Sequence, residues 1–303
     1  MDSAPPNPRF TAPLLIQPRF ALDCRNHRRV TSSNCLRRAP RRGTVVSESV
    51  VLRSTEAAST AMGASPSKAT RARVRSRFYV GMSGVVLLIV LVGFSPTLYL
   101  RSFFDVPDIP AYLVVHGVVH TAWFVFVLLQ ATLVAAHRTP LHRQVGRLGV
   151  GLGVATFAIS LAVTVLFVQR SYVVDPNRLP TQILWANLAA LLSFAVFLWL
   201  GVVSRRQLDF HRRFMLLAAI SVVQPAIARI RQNFFESFDG ALFSLVWLSA
   251  LIIAMAVNDV RTTGRVHRVT AIGGLCFLGS RAFAQFVLAP SSLGMKIVRA
   301  LVE

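Results

Sequence analysis

Long apolar runs separated by short polar linkers make up the chain beyond residue 78. Seven of these runs are long enough to cross a bilayer, whose hydrocarbon core of about 30 Å needs roughly 20 helical residues. They lie at 79–100, 111–136, 145–168, 182–203, 212–231, 241–258 and 270–289. Backbone groups in lipid must bond to one another, and the runs lack the alternating polarity of barrel strands. The pattern therefore predicts an all-α, polytopic membrane bundle of about seven transmembrane helices.

The composition agrees with lipid as the solvent for this part of the chain. Of 303 residues, 54% are hydrophobic and 15% are charged, whereas a soluble globular domain is about one-quarter charged. The net charge of +21 would indicate nucleic-acid binding in a soluble protein. Here the basic residues lie before the first run and between later runs, which membrane topology explains. We therefore expect a lipid bilayer as partner and no nucleic acid.

Residues 1–77 form a basic N-terminal arm that we predict to be disordered, because it is Arg-rich and has no apolar periodicity. Three interpretations of the arm stay open. It is a targeting segment, a cytoplasmic tail that touches anionic lipid, or an extension upstream of a true start at Met62, which we favour. Residues 78–290 would then be the seven-helix domain, and 291–303 a short C-terminal tail.

The charges of the linkers predict the orientation of the helices. The linkers after the second, fourth and sixth runs carry ten Arg residues against Asp209 and Asp259, whereas those after the first, third and fifth runs carry four Arg residues against five acids. Positively charged loops stay in the cytoplasm. We therefore expect the N-terminus inside and the C-terminus outside.

Four side chains share one face of the second predicted helix: His116, His120, Trp123 and Gln130. Two histidines four residues apart can chelate one transition metal ion. Both project from one side of one helix, so they cannot be the two opposed axial ligands of a haem. Polar groups are costly inside a bilayer and mostly face the interior of a bundle. The stripe therefore predicts either a ligand site or a polar packing contact between helices.

Further cations and amides fall in the half of the membrane that this topology places outside. They are Asn187, Gln224, Arg229, Arg281 and Gln285. No Asp or Glu lies inside any predicted helix, so an intramembrane Arg needs another partner: a haem propionate, a lipid phosphate, a quinone carbonyl, or Glu236 and Asp239 from a loop. Alternatively, these Arg side chains extend to the outer headgroups. This alternative suits Arg229 better than Arg281, which lies about 12 Å from its helix end.

Three histidines, each followed by Arg, come just before the third, fifth and seventh predicted helices: His142, His211 and His267. If these helix ends converge, the three imidazoles share one depth. They could then bind a metal ion, or two of them could ligate one b-type haem. The alternative is that the His-Arg pairs anchor the helices at lipid headgroups.

The sequence also carries a family resemblance. The run from His116 to LHRQVGR at His142, followed by FHRRFM at His211 and by a downstream Arg229, resembles an uncharacterised bacterial family of polytopic membrane proteins, a domain of unknown function. The resemblance covers residues 78–289 and leaves out the arm. It implies this fold and the bacterial inner (plasma) membrane, but no activity.

The resemblance also bears on the candidate residues. It implies that four of them are characteristic motif positions: His116, His142, His211 and Arg229. His120 and Phe214 depart from the family pattern. At position 214 the family usually has Trp. The departure at His120 counts against an essential pair formed by His116 and His120.

Three functions are compatible with these features. The leading hypothesis is a redox module that handles one haem or a quinone, since imidazoles, Arg residues without carboxylates and Trp residues lie within the membrane. The second is a transporter of a small anionic or lipid-like molecule that Arg229 and Arg281 bind. The third is a non-catalytic sensor or assembly factor. No Ser/His/Asp arrangement, carboxylate pair or HExxH motif indicates hydrolysis, and the sequence leaves open whether the protein is an enzyme.

Overall fold

The computed structural model describes residues 68–104, 108–174 and 180–302, and within these ranges the regular structure is entirely helical. The α-helices are α1 (Lys68–Phe94), α2 (Ala111–Ala135), α3 (Thr139–Val174), α4 (Thr181–Val203), α5 (Leu208–Ser221), α6 (Gln224–Phe234), α7 (Gly240–Thr263), α8 (Gly274–Ala282) and α9 (Ser292–Val302). The π-helical segments Val269–Gly273 and Phe283–Leu288 flank α8 and continue it into one span. The predicted arm up to residue 67, with Met62, lies outside the described residues.

Six of these helices, counting the composite span Val269–Leu288 as one, are long and apolar enough to cross a membrane. The fifth predicted span is a bent pair, α5 and α6, which together meet the same test. The prediction of an all-α, polytopic membrane bundle of about seven helices is therefore confirmed. The chain is an integral, multi-pass membrane protein.

Several helices begin or end beyond the predicted apolar runs. Helix α1 begins at Lys68, inside the predicted arm, and α3 runs for 36 residues, from Thr139 to Val174. At about 1.5 Å per residue α3 is roughly 54 Å long, so it extends past the hydrocarbon core. The polar flanks of these runs hold Ala, Arg, Lys and Gln, which continue an existing helix at little cost.

The predicted C-terminal tail contains helix α9, which packs on α3 and α4. Its Val298 is buried against Val168 and Leu184. Two hydrogen bonds hold α9 in place: Trp185 Nε1 donates to the Gly294 carbonyl at 3.3 Å, and Gln169 Nε2 donates to the Leu301 carbonyl at 3.2 Å.

The fifth span bends by 41° between α5 and α6. Pro225 stands in the first turn of α6. Because proline has no backbone N–H and clashes with the preceding turn, it interrupts the hydrogen-bond ladder and ends α5 at Ser221. Pro96 lies in a π-helical segment, Ser95–Tyr99, at the end of α1.

Small residues allow α2, α3 and α4 to approach closely. Gly149 and Gly153 form a GxxxG pair on α3, and both are buried. A Cβ on Gly153 would stand 2.6 Å from Leu198 and 3.1 Å from Trp123, and a Cβ on Gly149 would overlap the Phe126 ring. This pair is therefore a helix-packing motif, as small-xxx-small pairs are in membrane helices.

Candidate functional site

The two histidines of α2 are in contact with each other and with α3. The ring centroids of His116 and His120 lie 4.3 Å apart. His120 Nε2 lies 2.5 Å from Ser160 Oγ, and that hydroxyl donates to the Thr156 carbonyl. A hydroxyl has one proton, so Ser160 accepts from His120, and His120 carries a proton on Nε2. The Nδ1 atom of His116 is buried and has no hydrogen-bond partner among the described residues.

Trp123 and Gln130 continue the stripe into the interior. Trp123 is fully buried and meets Phe194 of α4 edge to face, with centroids 5.2 Å apart. Its Nε1 donor has no acceptor, and neither amide atom of Gln130 has a partner, among the described residues. The stripe thus faces α3 and α4, and it leaves several buried polar atoms unsatisfied, an uncommon state in a folded protein.

A polar ladder on α3, which the sequence analysis did not identify, faces this stripe. Thr156, Ser160 and Thr164 recur every four residues and are all buried. Thr164 Oγ1 accepts a hydrogen bond of 3.4 Å from Asn187 Nδ2 of α4. The signal in the sequence was the spacing of four, which places three hydroxyls on one face of an otherwise apolar helix.

Arg281 is a buried cation in the last span. Its side chain is 6% exposed, Nη1 donates to the Ala186 carbonyl of α4, and Nε has no partner within the described residues. The carboxylate of Asp239, a predicted partner, instead accepts from the Leu242 backbone N–H at 2.8 Å and caps α7. Nor does any other described carboxylate form an ion pair with Arg281.

These contacts bring four of the predicted residues into one array. His116 contacts His120, which bonds to Ser160; one turn further along α3, Thr164 bonds to Asn187; and the neighbouring Ala186 carbonyl accepts from Arg281. We call these residues the core polar array: His116, His120, Ser160, Thr164, Asn187 and Arg281.

The other predicted outer-half residues are not hydrogen-bonded to this array. Arg229 is exposed on α6, which packs on α1 and α7, and neither it nor Gln224 forms a hydrogen bond or ion pair within the described part of the chain. Gln285 is half-buried one turn beyond Arg281 and is also without a hydrogen bond there. The exposure of Arg229 fits a side chain that extends to headgroups, whereas the burial of Arg281 does not.

Two of the three interfacial histidines come together. The rings of His142 and His211 stand nearly perpendicular, at 78°, with centroids 6.2 Å apart. His211 Nδ1 bonds to the Gly201 carbonyl at 2.7 Å, and His142 Nδ1 is buried without a partner within the described ranges.

The third, His267, faces Phe210 with ring centroids 5.0 Å apart. Its Nδ1 accepts the Val269 backbone N–H at 3.1 Å, at the start of the last span. Burial, and then the charge of Arg213, lower the pKa of His267, while Asp259 acts in the opposite direction. Among the described residues, no group of three or more His, Cys, Asp or Glu side chains is placed to hold a metal ion.

One charged cluster went unpredicted. The sequence analysis counted Arg213 and Asp259 as linker charges and expected the acidic residues to lie outside the helices. In the structure, Arg213 and Asp259 are both helical and 1% exposed. Arg213 Nε lies 3.1 Å from Asp259 Oδ1, and Nη1 donates to the Asp209 carbonyl at 2.6 Å. Asp259 Oδ2 also accepts from Thr270 Oγ1 at 2.6 Å. The apolar run ends at residue 258, but the helix continues to Thr263. Asp259 therefore lies within the helix, and its carboxylate is buried.

Two cavities, of about 390 Å³ and 310 Å³, lie beside the spans, the first under α9 and the second between α7 and the last span. Arg281 and the imidazoles line neither of them. No family model, no curated protein and no solved structure matches this chain.

Proposed function

We propose that the protein binds a small anionic molecule inside the membrane and carries it across, with Arg281 as the residue that binds the charge. The single observation behind this proposal is that Arg281 is buried within a transmembrane span without a carboxylate partner among the described residues. A charged group inside a bilayer is costly and is retained where it pairs or meets a substrate. We place the protein in the bacterial inner membrane with its N-terminus inside, which puts Arg281 in the outer half.

Comparison with Arg213 strengthens the argument. Both guanidinium groups are buried in the same bundle, but Arg213 is neutralised by Asp259 and also bonds to a backbone carbonyl. Arg281 has a carbonyl alone, which supplies a dipole and no charge, and its Nε–H is left over. Arg281 therefore has the unused charge and the unused donor that an anionic oxygen would take up.

The surroundings of Arg281 suit a small polar ligand. Asn187 follows Ala186 on α4, and the Ser193 and Ser280 hydroxyls lie 3.4 Å apart where α4 meets α8. Arg281 bonds to the Ala186 carbonyl of α4, so a ligand would take its place at the guanidinium once α4 and α8 move apart. Such a motion between helices around a central site is how carriers alternate access.

Thermal stability of the detergent-solubilised full chain tests the proposal. We would screen chloride, phosphate, bicarbonate, lactate and benzoate, and expect at least one anion to raise the unfolding temperature by several degrees, since a ligand at 100 times its Kd adds about 2.7 kcal/mol. Arg281→Gln should abolish this increase and Arg281→Lys should retain part of it. Arg229→Gln, at an exposed cation in another span, is the matched control and should respond like the wild type.

The anion that stabilises the protein would then be followed into proteoliposomes. Uptake by wild-type protein and by Arg229→Gln, with none by Arg281→Gln, is the expected result. An unchanged unfolding temperature across the whole panel, or equal stabilisation of Arg281→Gln, would rule out Arg281 as an anion site.

A redox module that handles a quinone or one haem is our second candidate. The observation in its favour is the Trp123 Nε1–H, which is fully buried and has no acceptor within the described residues. A quinone carbonyl could accept this hydrogen bond, beside His116 and His120 on the same helix face. Organic extraction of the purified protein tests for quinone, with Trp123→Phe as the variant that removes the donor. A Soret band tests for haem, and its absence after expression with ample haem counts against haem binding.

A further inference from the structure

We infer that His142 and His211 form a binding site for a divalent first-row transition metal ion such as Zn²⁺. The amide oxygen of Gln130 is the third ligand. The inference does not depend on the proposed anion function. It concerns the starts of α3 and α5 and the end of α2, whereas Arg281 lies in the last span.

The first support is the separation of the rings. Two imidazoles that share one tetrahedral ion at Zn–N distances of about 2.0–2.1 Å have ring centres roughly 5 Å apart. The centroids of His142 and His211 are 6.2 Å apart. This separation is about 1 Å wider than a tetrahedral site needs, and a turn of the His142 side chain, whose Nδ1 has no partner among the described residues, would close it.

The second support is the way in which His211 is held. Its Nδ1 bonds to the Gly201 carbonyl at 2.7 Å. A carbonyl can only accept, so Nδ1 carries a proton, and in the neutral imidazole Nε2 therefore holds the free lone pair. Ligating histidines commonly show this arrangement, in which a backbone carbonyl fixes the tautomer and the ring orientation.

The third support is a set of buried polar atoms that the described residues leave unsatisfied. His142 Nδ1 and both amide atoms of Gln130 have no hydrogen-bond partner. Gln130 Oε1 lies 3.7 Å from where a Cβ on Gly146 would stand, and Gly146 is one turn along α3 from His142, on the same face. An ion between the two rings would give His142 and Gln130 a partner, and a water molecule would complete four ligands.

Zinc titration of the full chain tests the inference, after purification in detergent through an affinity tag that contains no histidine. The expected result is one Zn²⁺ per chain by calorimetry and elemental analysis. His142→Ala and His211→Ala should each weaken binding by more than the roughly 10–100-fold that loss of an outer-shell partner costs, and Gln130→Leu should weaken it less than either histidine variant. Co²⁺ in place of Zn²⁺ should give ligand-field absorption bands that both histidine variants lose.

Three controls separate the site from other effects. His137→Asn removes an exposed histidine five residues before His142, in a left-handed conformation (φ 59°) that Asn tolerates, and should bind like the wild type. His267→Asn, at the third interfacial histidine, should also leave binding unchanged. His211→Asn keeps an amide that can reach Gly201, so its loss of Zn²⁺ would not be due to misfolding.

The possible outcomes are distinct. Stoichiometric binding that survives both His142→Ala and His211→Ala would overturn the inference, and so would the absence of stoichiometric binding. A Soret band that either variant removes would assign the pair to haem iron and overturn the site for a single ion. Anion stabilisation through Arg281 should be the same in these variants, so failure of either proposal leaves the other standing.

Discussion

Arg213 and Asp259 form a buried ion pair between α5 and α7, with each side chain 1% exposed. The carboxylate also accepts hydrogen bonds from the Thr270 hydroxyl at 2.6 Å and from the His267 backbone N–H at 3.2 Å. One acid therefore joins α5, α7 and the start of the last span. Two buried charges are tolerated here because each has an opposite charge and further hydrogen-bond partners.

Removing one partner of this pair should strongly destabilise the protein. Arg213→Leu leaves an unpaired carboxylate and Asp259→Leu leaves an unpaired guanidinium; we expect each to lower the free energy of unfolding by about 3–5 kcal/mol. The double variant, in which no charge remains buried, should lie closer to the wild type than either single variant. Unfolding in mixed detergent micelles, followed by circular dichroism, measures all three. A double variant as unstable as the sum of the singles would contradict this account.

The number of helices and the fold class were predictable from sequence because they depend on the length of apolar runs. Lipid forces backbone groups to pair internally, so a run of about 20 apolar residues has one regular structure open to it. The bend at Pro225 was predictable for an equally local reason, the missing N–H. The ends of the helices were harder to predict from sequence. Hydropathy falls at Asn258 and Asp259, but α7 continues to Thr263, because Arg213 on α5 pairs with the charge of Asp259.

The candidate sites were predictable only as sets of residues. Helical periodicity places His116 and His120 on one face of α2, and in the structure their rings are in contact. Which histidines meet across helices depends on helix rotation and packing, which one sequence does not encode in a readable way. Hence His142 meets His211 while His267 faces Phe210, and Arg281 is buried while Arg229 is exposed.

Stability should depend on pH through His267, which lies outside the spans. The pKa of His267 is lowered in the folded protein, first by burial. A base with a lowered pKa binds fewer protons folded than unfolded, so this contribution is complete above the unfolded pKa of about 6.5 and is lost as the pH falls below it. Protonation also removes the Nδ1 lone pair that accepts the Val269 N–H.

Comparison of the wild type with His267→Asn between about pH 5 and pH 7 isolates this contribution. Asn supplies an oxygen that can accept the Val269 N–H and does not titrate in this range. We expect the unfolding midpoint of the wild type to fall more steeply towards acid than that of the variant. Parallel curves would show that other groups carry the pH dependence.

The hydrogen bond between His120 and Ser160 should contribute modestly to stability. Ser160→Ala removes the acceptor of the His120 Nε2 proton. Hydrogen bonds between membrane helices average about 0.6 kcal/mol, with a maximum of about 1.7 kcal/mol. We expect a loss within that range, and His120→Leu should make a subsequent Ser160→Ala change nearly neutral. A double-mutant cycle of unfolding free energies measures the coupling, and a coupling of zero would mean that the contact has no energetic role.

Two glycines on α3 provide a matched pair for the packing of α2, α3 and α4. Gly153 is buried, and a Cβ there would stand 2.6 Å from Leu198 and 3.1 Å from Trp123, whereas Gly151 is exposed with nothing within 4 Å of its Cβ position. Gly153→Leu should force the helices apart, because close-packed side chains cannot absorb the added atoms. We expect a destabilisation of about 1–3 kcal/mol.

Gly151→Leu adds the same side chain to the same helix two residues away, so it corrects for the change in helix propensity. It should be neutral or slightly stabilising, because Leu favours helix over Gly by up to about 1 kcal/mol. Unfolding free energies of the two variants give the cost of packing by difference. If Gly151→Leu were as destabilising as Gly153→Leu, the lipid-facing side of α3 would have to be reassigned as a contact surface. Equal stability of both variants and the wild type would show that the three helices have room to separate at Gly153.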